Sequence, residues 1–284
     1  MLTFAQRNLK LFFRDKSAVF FSLLAVFIII GLYALFLGDV WTDSLSDLAN
    51  ARQLMDSWIM AGLLAVTSIT TTMGAFGVMV DDRSKKIDKD FASSPIQKGR
   101  LAGGYLLSAY MIGVIMSFLA FLLVQLYIVI SGGEWLDFIS LLQSMGLIFF
   151  TCFVNTSLVF FVVSFFKSQN AVATASTVIG TLIGFVTGIY LPVGTLPEAV
   201  QLVVKIFPVS HAAALFRQVL MKSQMEKAFE HAPSAYLEEF QDTMGVTFRF
   251  GDYTVTPVVS VLILLFTAVF FYALATFNLS RKRR

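Results

Sequence analysis

Asp81, Asp82, Asp88 and Asp90 crowd one short stretch, "DDRSKKIDKDFASSPIQKGR", at residues 81–100. Aspartates at this spacing could hold Mg²⁺ against a diphosphate, because Mg²⁺ takes carboxylate and phosphate oxygens together. Such a cage wants a second acidic or glycine-framed motif. Here Arg83, Lys85, Lys86 and Lys89 interleave with the aspartates and compete for them, so a solvated charged segment is the simpler reading. His211 and His231 lack the carboxylate or cysteine spacing of a metal site. Cys152 stands inside an apolar run and reads as a packed thiol. The chain carries no G-x-x-x-x-G-K-[ST], no H-E-x-x-H and no G-x-S-x-G. No catalytic or metal-ligating residue is assigned.

The elements around the charged stretch are apolar. Of the 284 residues, 57% are hydrophobic, and the mean hydropathy is +0.78. Charges come in clumps between long uncharged runs. About 20 apolar residues at 1.5 Å each cross the hydrocarbon of a bilayer. Backbone polar groups must pair internally there, which favours helices. The pattern predicts an all-α integral membrane protein with six spans, near 17–38, 57–80, 101–131, 138–166, 170–191 and 256–279.

Lysine and arginine set the expected orientation. Arg7, Lys10, Arg14 and Lys16 precede the first span, six basic residues lie in 81–100, Lys167 separates the fourth and fifth spans, and "RKRR" at 281–284 ends the chain. Asp39, Asp43, Asp47 and Asp56 face one Arg52 after the first span, and Glu134 and Asp137 follow the third without any base. The positive-inside rule then places both termini and 81–100 in the cytoplasm, as for a multi-pass bacterial plasma-membrane protein. The N-terminus does not read as a cleaved signal: no small-x-small site follows its full-length apolar run. Leu2, Ala5, Leu9, Phe12 and Phe13 share one helical face and Thr3, Arg7, Lys10 and Arg14 another. Residues 1–16 are therefore expected as an amphipathic helix on the inner membrane surface, where its apolar side can bury.

After the fifth span, "YLPVGTLPEAVQLVVKIFPVSHAAALFRQVLMK" is divided by Pro192, Pro197 and Pro208. Proline suits a helix start and breaks an interior. Two short helices are expected, near 197–206 and 211–222, with Ser210 as N-cap. Neither is long enough to cross, so they form a re-entrant outer hairpin. Residues 192–255 together make that hairpin and an extracellular cap, with "TFRF" at 247–250 as a short strand.

Polar residues inside the spans are the remaining signal. Thr67, Thr70, Thr71 and Gly74 recur at three- and four-residue spacing in the second span, beside Ser68 and Thr72; Thr174, Thr177 and Thr181 do so in the fifth. Such faces either line a cavity or pack on another helix, since a hydroxyl can also bond its own backbone. Gly180, Gly184 and Gly188 form a stripe that admits a close neighbour, within the chain or from a second copy. The proposed spans contain no acidic or basic residue, which argues against a proton- or ion-coupled carrier.

Four features occur in order: "RNLKLFFRDKSAVF" at 7–20, "DRSKKIDKDFASSPIQKGRLAGGYLLS" at 82–108, "LPVGTLPEAVQLVVKIFPVSHAAALFRQVL" at 191–220, and the terminal "RKRR". Together they resemble the permease subunit of type-2 ABC exporters over essentially the whole chain. The loop departs from that family in having Lys-Lys-Ile where an acidic-Arg-x-x-Gly-Thr step is often found. The resemblance implies a pore built from two six-helix halves, the second identical or homologous. It implies two copies of a separate cytoplasmic ATPase that carries the ATP and Mg²⁺, with no cofactor on this chain and no nucleic-acid partner. It also makes 81–100 a coupling loop, with Arg83, Lys85, Lys86, Asp88, Ser94 and Pro95 as docking candidates. Ser94-Pro95 would bend it, because a residue before proline avoids the helical region. The second and fifth spans would line the substrate path, and the substrate would be amphipathic: a drug, lipid, peptide antibiotic or lipid-linked glycan. Two other classes stay open: a Mg²⁺-dependent membrane transferase using the acidic loop, and a peptide-sensing or immunity subunit using the 223–252 cap.

Overall fold

The structure, a computed structural model, describes residues 1–38, 42, 45, 48, 50–87, 90–91 and 98–281; at 36, 37, 98 and 279–281 it describes the backbone alone. The described chain is helical apart from one two-stranded ribbon. Helix α1 (Leu2–Arg14) is followed at once by α2 (Lys16–Leu32), which ends in a wider turn over Tyr33–Leu37. Asp15 separates the two helices. Its carboxylate accepts the backbone N–H of Ala18 at 3.0 Å, satisfying one of the donors that a helix start leaves unpaired.

Helix α3 (Ala51–Ala75) and α4 (Gly77–Ser84) are joined through Phe76. Next come α5 (Lys98–Ile130), α6 (Phe138–Val163) and α7 (Gln169–Val186). Asp137 caps α6 by accepting from the N–H groups of Ile139 and Ser140 at 3.0 and 3.1 Å, and Ser168 caps α7 by accepting from Ala171. Helices α8 (Glu198–Ile206) and α9 (Pro208–Leu220) meet at 83°. Pro208 occupies the first turn of α9, where its missing N–H costs nothing. The expected cap Ser210 therefore lies inside the helix, and its hydroxyl donates to the Val186 carbonyl at 2.7 Å. Short helices α10 (Lys222–Ala228) and α11 (Ser234–Thr243) precede strands β1 (Arg249–Phe250) and β2 (Tyr253–Thr254), paired antiparallel, and α12 (Pro257–Arg281) closes the chain. The strand expected over 247–250 is confined to its second half.

Among the described residues, six helical segments are long and apolar enough to cross a membrane. The core lies around α3, whose residues are buried along nearly its whole length between α5, α6 and α9. Close packing there uses small and self-satisfied polar side chains. A methyl at Gly113 on α5 would collide with the Thr72 hydroxyl at 2.7 Å, while Asn155 on α6 donates to Ser68 at 2.7 Å. Helix α2 is different, with Phe20, Phe21, Phe27 and Ile28 exposed on its outside. Such an apolar exterior belongs in lipid.

The structure also corrects the expected start of the second span. The second spanning helix begins at Ala51 rather than near residue 57, so it includes Arg52 and a fully buried Asp56. They pair at i,i+4 with 3.4 Å between Arg52 Nε and Asp56 Oδ1, and the guanidinium lies 5.6 Å from the Tyr33 ring centroid. A helical turn thus brings a base to the carboxylate, which is how a buried acid is tolerated.

Candidate functional site: a polar latch beside a hydroxyl-lined groove

Two adjoining cavities and one ion-pair cluster lie at the end of the molecule that holds α1 and α4, called here the basic end. The cluster centres on Asp82, which is 2% exposed. Arg7 donates to both its oxygens, Nη1 to Oδ2 at 2.6 Å and Nη2 to Oδ1 at 2.9 Å, and the Tyr105 hydroxyl donates to Oδ2 at 2.6 Å. Such a bidentate fork is the strong form of a charge-assisted bond. Hydrogen bonding to Asp82 outweighs partial burial and holds the Arg7 guanidinium above its ordinary pKa, so it stays charged. Arg7 also lies over the rings of Phe4 and Phe91, at 5.6 and 5.4 Å. Beside it, buried Asn8 accepts from Arg7 at 2.9 Å and donates to Ser108 at 3.2 Å. Helices α1, α4 and α5 are thereby joined by one polar network.

The charged residues singled out from the sequence divide sharply. Arg7 is turned into the protein, whereas Lys10 and Arg14 on the same helix are exposed. Arg83 reaches back to the end of α6, 3.4 Å from the Val163 carbonyl and 3.3 Å from that of Phe166. Lys85 pairs with Asp81 at 2.7 Å in the open. Lys86 ends α4 with φ of 61°, a left-handed conformation that closes helices but suits glycine better. Asp88, Ser94 and Pro95 lie outside the described residues, as does Lys89.

Next to this latch is a cavity of about 640 Å³ bounded by α1, α2, α4 and Gln169 at the start of α7. Its charged lining is Arg7, Asp15, Asp81, Asp82 and Lys85. Gln169 donates to the Gly77 carbonyl at 2.8 Å, tying α7 to α4. Sharing Phe12, Ala18 and Gly74 with it is a second cavity of about 480 Å³, lined also by Phe21, Ser22, Thr70, Ser176, Thr177 and Gly180. The groove therefore passes from charge to hydroxyls to aromatic carbon.

Within this groove the structure brings together Thr70, Gly74 and Thr177. It does not bring in Thr67 and Thr71, which are buried on the neighbouring face of α3 with their hydroxyls donating to Leu63 and Thr67 carbonyls, each at 2.7 Å. Thr174 and Thr181 are exposed on α7. The three glycines play unlike roles. Gly180 has open space at its Cβ position and lines the groove. Gly184 lies under the Tyr190 ring of its own chain, and Gly188 turns the chain at φ of 66°.

At the opposite end, Arg217 on α9 is fully buried. Its Nη2 donates to the Thr187 and Gly188 carbonyls at 3.0 and 3.1 Å, and its Nη1 to Gly245 at 3.3 Å. It lies 4.9 Å from the Trp58 ring, and Trp58 in turn donates to the Met244 carbonyl at 2.7 Å. The carbonyls at the end of α7 carry the negative pole of that helix and suit a cation. Sequence reasoning passed over Arg217, Trp58, Asn8, Tyr105 and Gln169. A lone arginine in "HAAALFRQVL" was the signal available for the first.

A family model described as ABC-2 family transporter protein matches residues 41–277. The chain belongs to this family. No curated protein matches it. As a member it is an ABC transporter permease and a multi-pass membrane protein. Such permeases are membrane subunits, typically non-catalytic, that generally work with an ATPase subunit.

Proposed function

We propose that the chain forms one half of an exporter pore and moves an amphipathic substrate, driven by ATP hydrolysis on a separate cytoplasmic subunit. The basic end faces the cytoplasm, α1 lies along the inner surface, α8 and α9 dip into the outer leaflet, and α10–β2 cap the outside. The observation that carries this reading is the position of the latch. Asp82 lies at the start of the 81–100 segment, is bonded to α1 and α5, and lines the cavity that adjoins the groove of Thr70, Gly74 and Thr177. A push on that segment from a docked ATPase is transmitted to the groove wall through bonds that are short and charged. Lys85 and Lys86 are exposed and suit the docking contact, whereas Arg83 serves the fold. The groove offers hydroxyls and aromatic carbon to a substrate with polar and apolar parts. Asp82 is engaged by Arg7 and Tyr105, and Asp81 by Lys85, which counts against a Mg²⁺–diphosphate cage.

The test is purification in mild detergent from native membranes, with the identity and stoichiometry of every co-purifying chain. One P-loop ATPase per permease supports the proposal, and the permease count distinguishes a homodimer from a heterodimer. A chain that stays alone under crosslinking, and transfers groups from a diphosphate lipid in Mg²⁺, would overturn it.

A further inference from the structure

Away from the groove, a polar cavity of about 120 Å³ lies at the hairpin end, between the starts of α3 and α6, the end of α5 and the α9–α10 junction. Oxygen-bearing side chains surround it: Gln53 and Ser57 from α3, Gln125 from α5, Glu134 and Asp137 from the α5–α6 connection, and Ser140 from α6. Gln125 is 1% exposed. Its amide nitrogen reaches the Glu134 carbonyl at 3.4 Å, but its Oε1 has no hydrogen-bond partner among the described residues. A buried acceptor without a donor costs about 1–3 kcal/mol and needs a reason.

We propose that this cavity binds Ca²⁺, with Gln125 Oε1 as its innermost ligand. The donor set consists of amide, hydroxyl and carboxylate oxygen, without imidazole or thiolate, which suits a hard cation rather than zinc or copper. Ca²⁺ accepts amide carbonyls and carboxylates in irregular arrays, whereas Mg²⁺ demands a near-octahedral shell that keeps its waters. The space exceeds the roughly 10–15 Å³ that one water requires, so the ion enters with part of its hydration. Two carboxylates supply the charge. Lys227, 3.0 Å from Glu134, offsets part of it, which places the site among weak ones with Kd of about 10⁻⁴–10⁻³ M. The bound ion ties the connection before α6 to α3 and α5.

The test uses the purified full chain in lipid nanodiscs, where both faces are accessible, so it does not depend on the transport reading. Thermal unfolding is followed against CaCl₂, with MgCl₂ at equal ionic strength as control. A Tm rise specific to Ca²⁺, half-complete at about 1 mM, is expected. Gln125→Leu abolishes the rise. Asp137→Asn keeps the helix cap, since asparagine caps as well as aspartate, but removes a charge and raises the half-saturating concentration about tenfold. Should Gln125→Leu fail to fold, Asp137→Asn decides alone. Equal responses to Ca²⁺ and Mg²⁺, no response, or an unchanged response in Asp137→Asn would each overturn the site and leave water as the partner of Gln125.

Discussion

Replacing Asp82 by asparagine tests the latch directly. The carboxylate accepts two bonds from Arg7 and one from Tyr105. The asparagine amide keeps the shape but turns one acceptor into a donor facing a guanidinium. Charge-assisted bonds contribute about 1.5–3 kcal/mol each. The Arg7 side chain is 32% exposed, so water screens part of that loss and hydrates the freed cation. A net cost of about 2–3 kcal/mol follows, or about 30- to 150-fold in the equilibrium for detaching α1. Amide hydrogen exchange over residues 4–12, in nanodiscs, reads that equilibrium. Exchange there should accelerate by about that factor, with α6 and α9 unchanged. Tyr105→Phe removes one bond and should accelerate it about fivefold. Arg7→Met combined with Asp82→Asn should add little to Asp82→Asn alone, since both remove one interaction. Unchanged exchange in α1 of folded Asp82→Asn would refute the idea that this pair holds the helix.

Four further outcomes are expected. Arg217→Ala leaves three carbonyls buried without donors and should cost about 3–5 kcal/mol in thermal unfolding; a cost below about 1 kcal/mol would dismiss the guanidinium as an anchor. Gly184→Ala should cost less than about 1 kcal/mol, because the ring above it belongs to Tyr190, which is 42% exposed and can swing aside; a cost near 3 kcal/mol would reveal a second helix against the stripe. Cysteines at Ser22 and Gly74 should form a disulfide on oxidation and arrest transport reversibly, since the Gly74 Cβ position lies 3.3 Å from Ser22 Oγ and the native Cys152 is buried; full transport by the crosslinked protein would remove this groove from the path. Asp137 is held below the usual carboxylate range by the Ser140 hydroxyl and the N–H groups of Ser140 and Ile139. Its contribution is therefore present above an unfolded pKa near ~3.9 and lost as pH falls through the lower folded value, so exchange at the start of α6 should rise only in that acid range.

The long helices were legible because uncharged runs and polar ends are written in one dimension. Asp137, read from the sequence only as an acid outside the spans, caps the helix that the following apolar run predicted. What periodicity cannot supply is the partner across space. Arg7 looked like one more surface cation of α1, yet its counter-ion is Asp82, 75 residues away. Thr70 and Gly74 form one i,i+4 pair and Thr67 and Thr71 another, about 100° round the helix. Which pair meets a cavity depends on where α2 and α7 lie, and no spacing within α3 contains that. Asp56 was placed in a loop because a charge was taken to end the span; Arg52, one turn earlier, let the helix begin sooner. Pro208 displaced Ser210 as the feature that starts α9, because a ring that fits the first turn governs backbone geometry more firmly than a side-chain oxygen.

The polar contacts also decide which wall of the groove can yield. Helices α3–α4 and α7 are tied at the basic end by Gln169 to Gly77, and at the other end through Arg217, which grips the end of α7 and stacks on Trp58 of α3. Separating them means breaking a part-buried hydrogen bond at the basic end or buried ones at the other. Helix α2 forms the remaining wall with Phe21, Ser22 and Ala25. Only Leu23 and Val26 of its side chains are buried, and the Ser22 hydroxyl bonds its own backbone at Ala18, not another helix. Elements with few buried contacts open at the lowest free energy. The groove thus has two braced walls and one loose one. The latch acts on the foot of the loose one, since α1 joins α2 through Asp15 alone. On the reading proposed above, a displacement that shifts α4 at Asp82 carries Arg7, α1 and the base of α2 with it, and α7 follows α4 through Gln169.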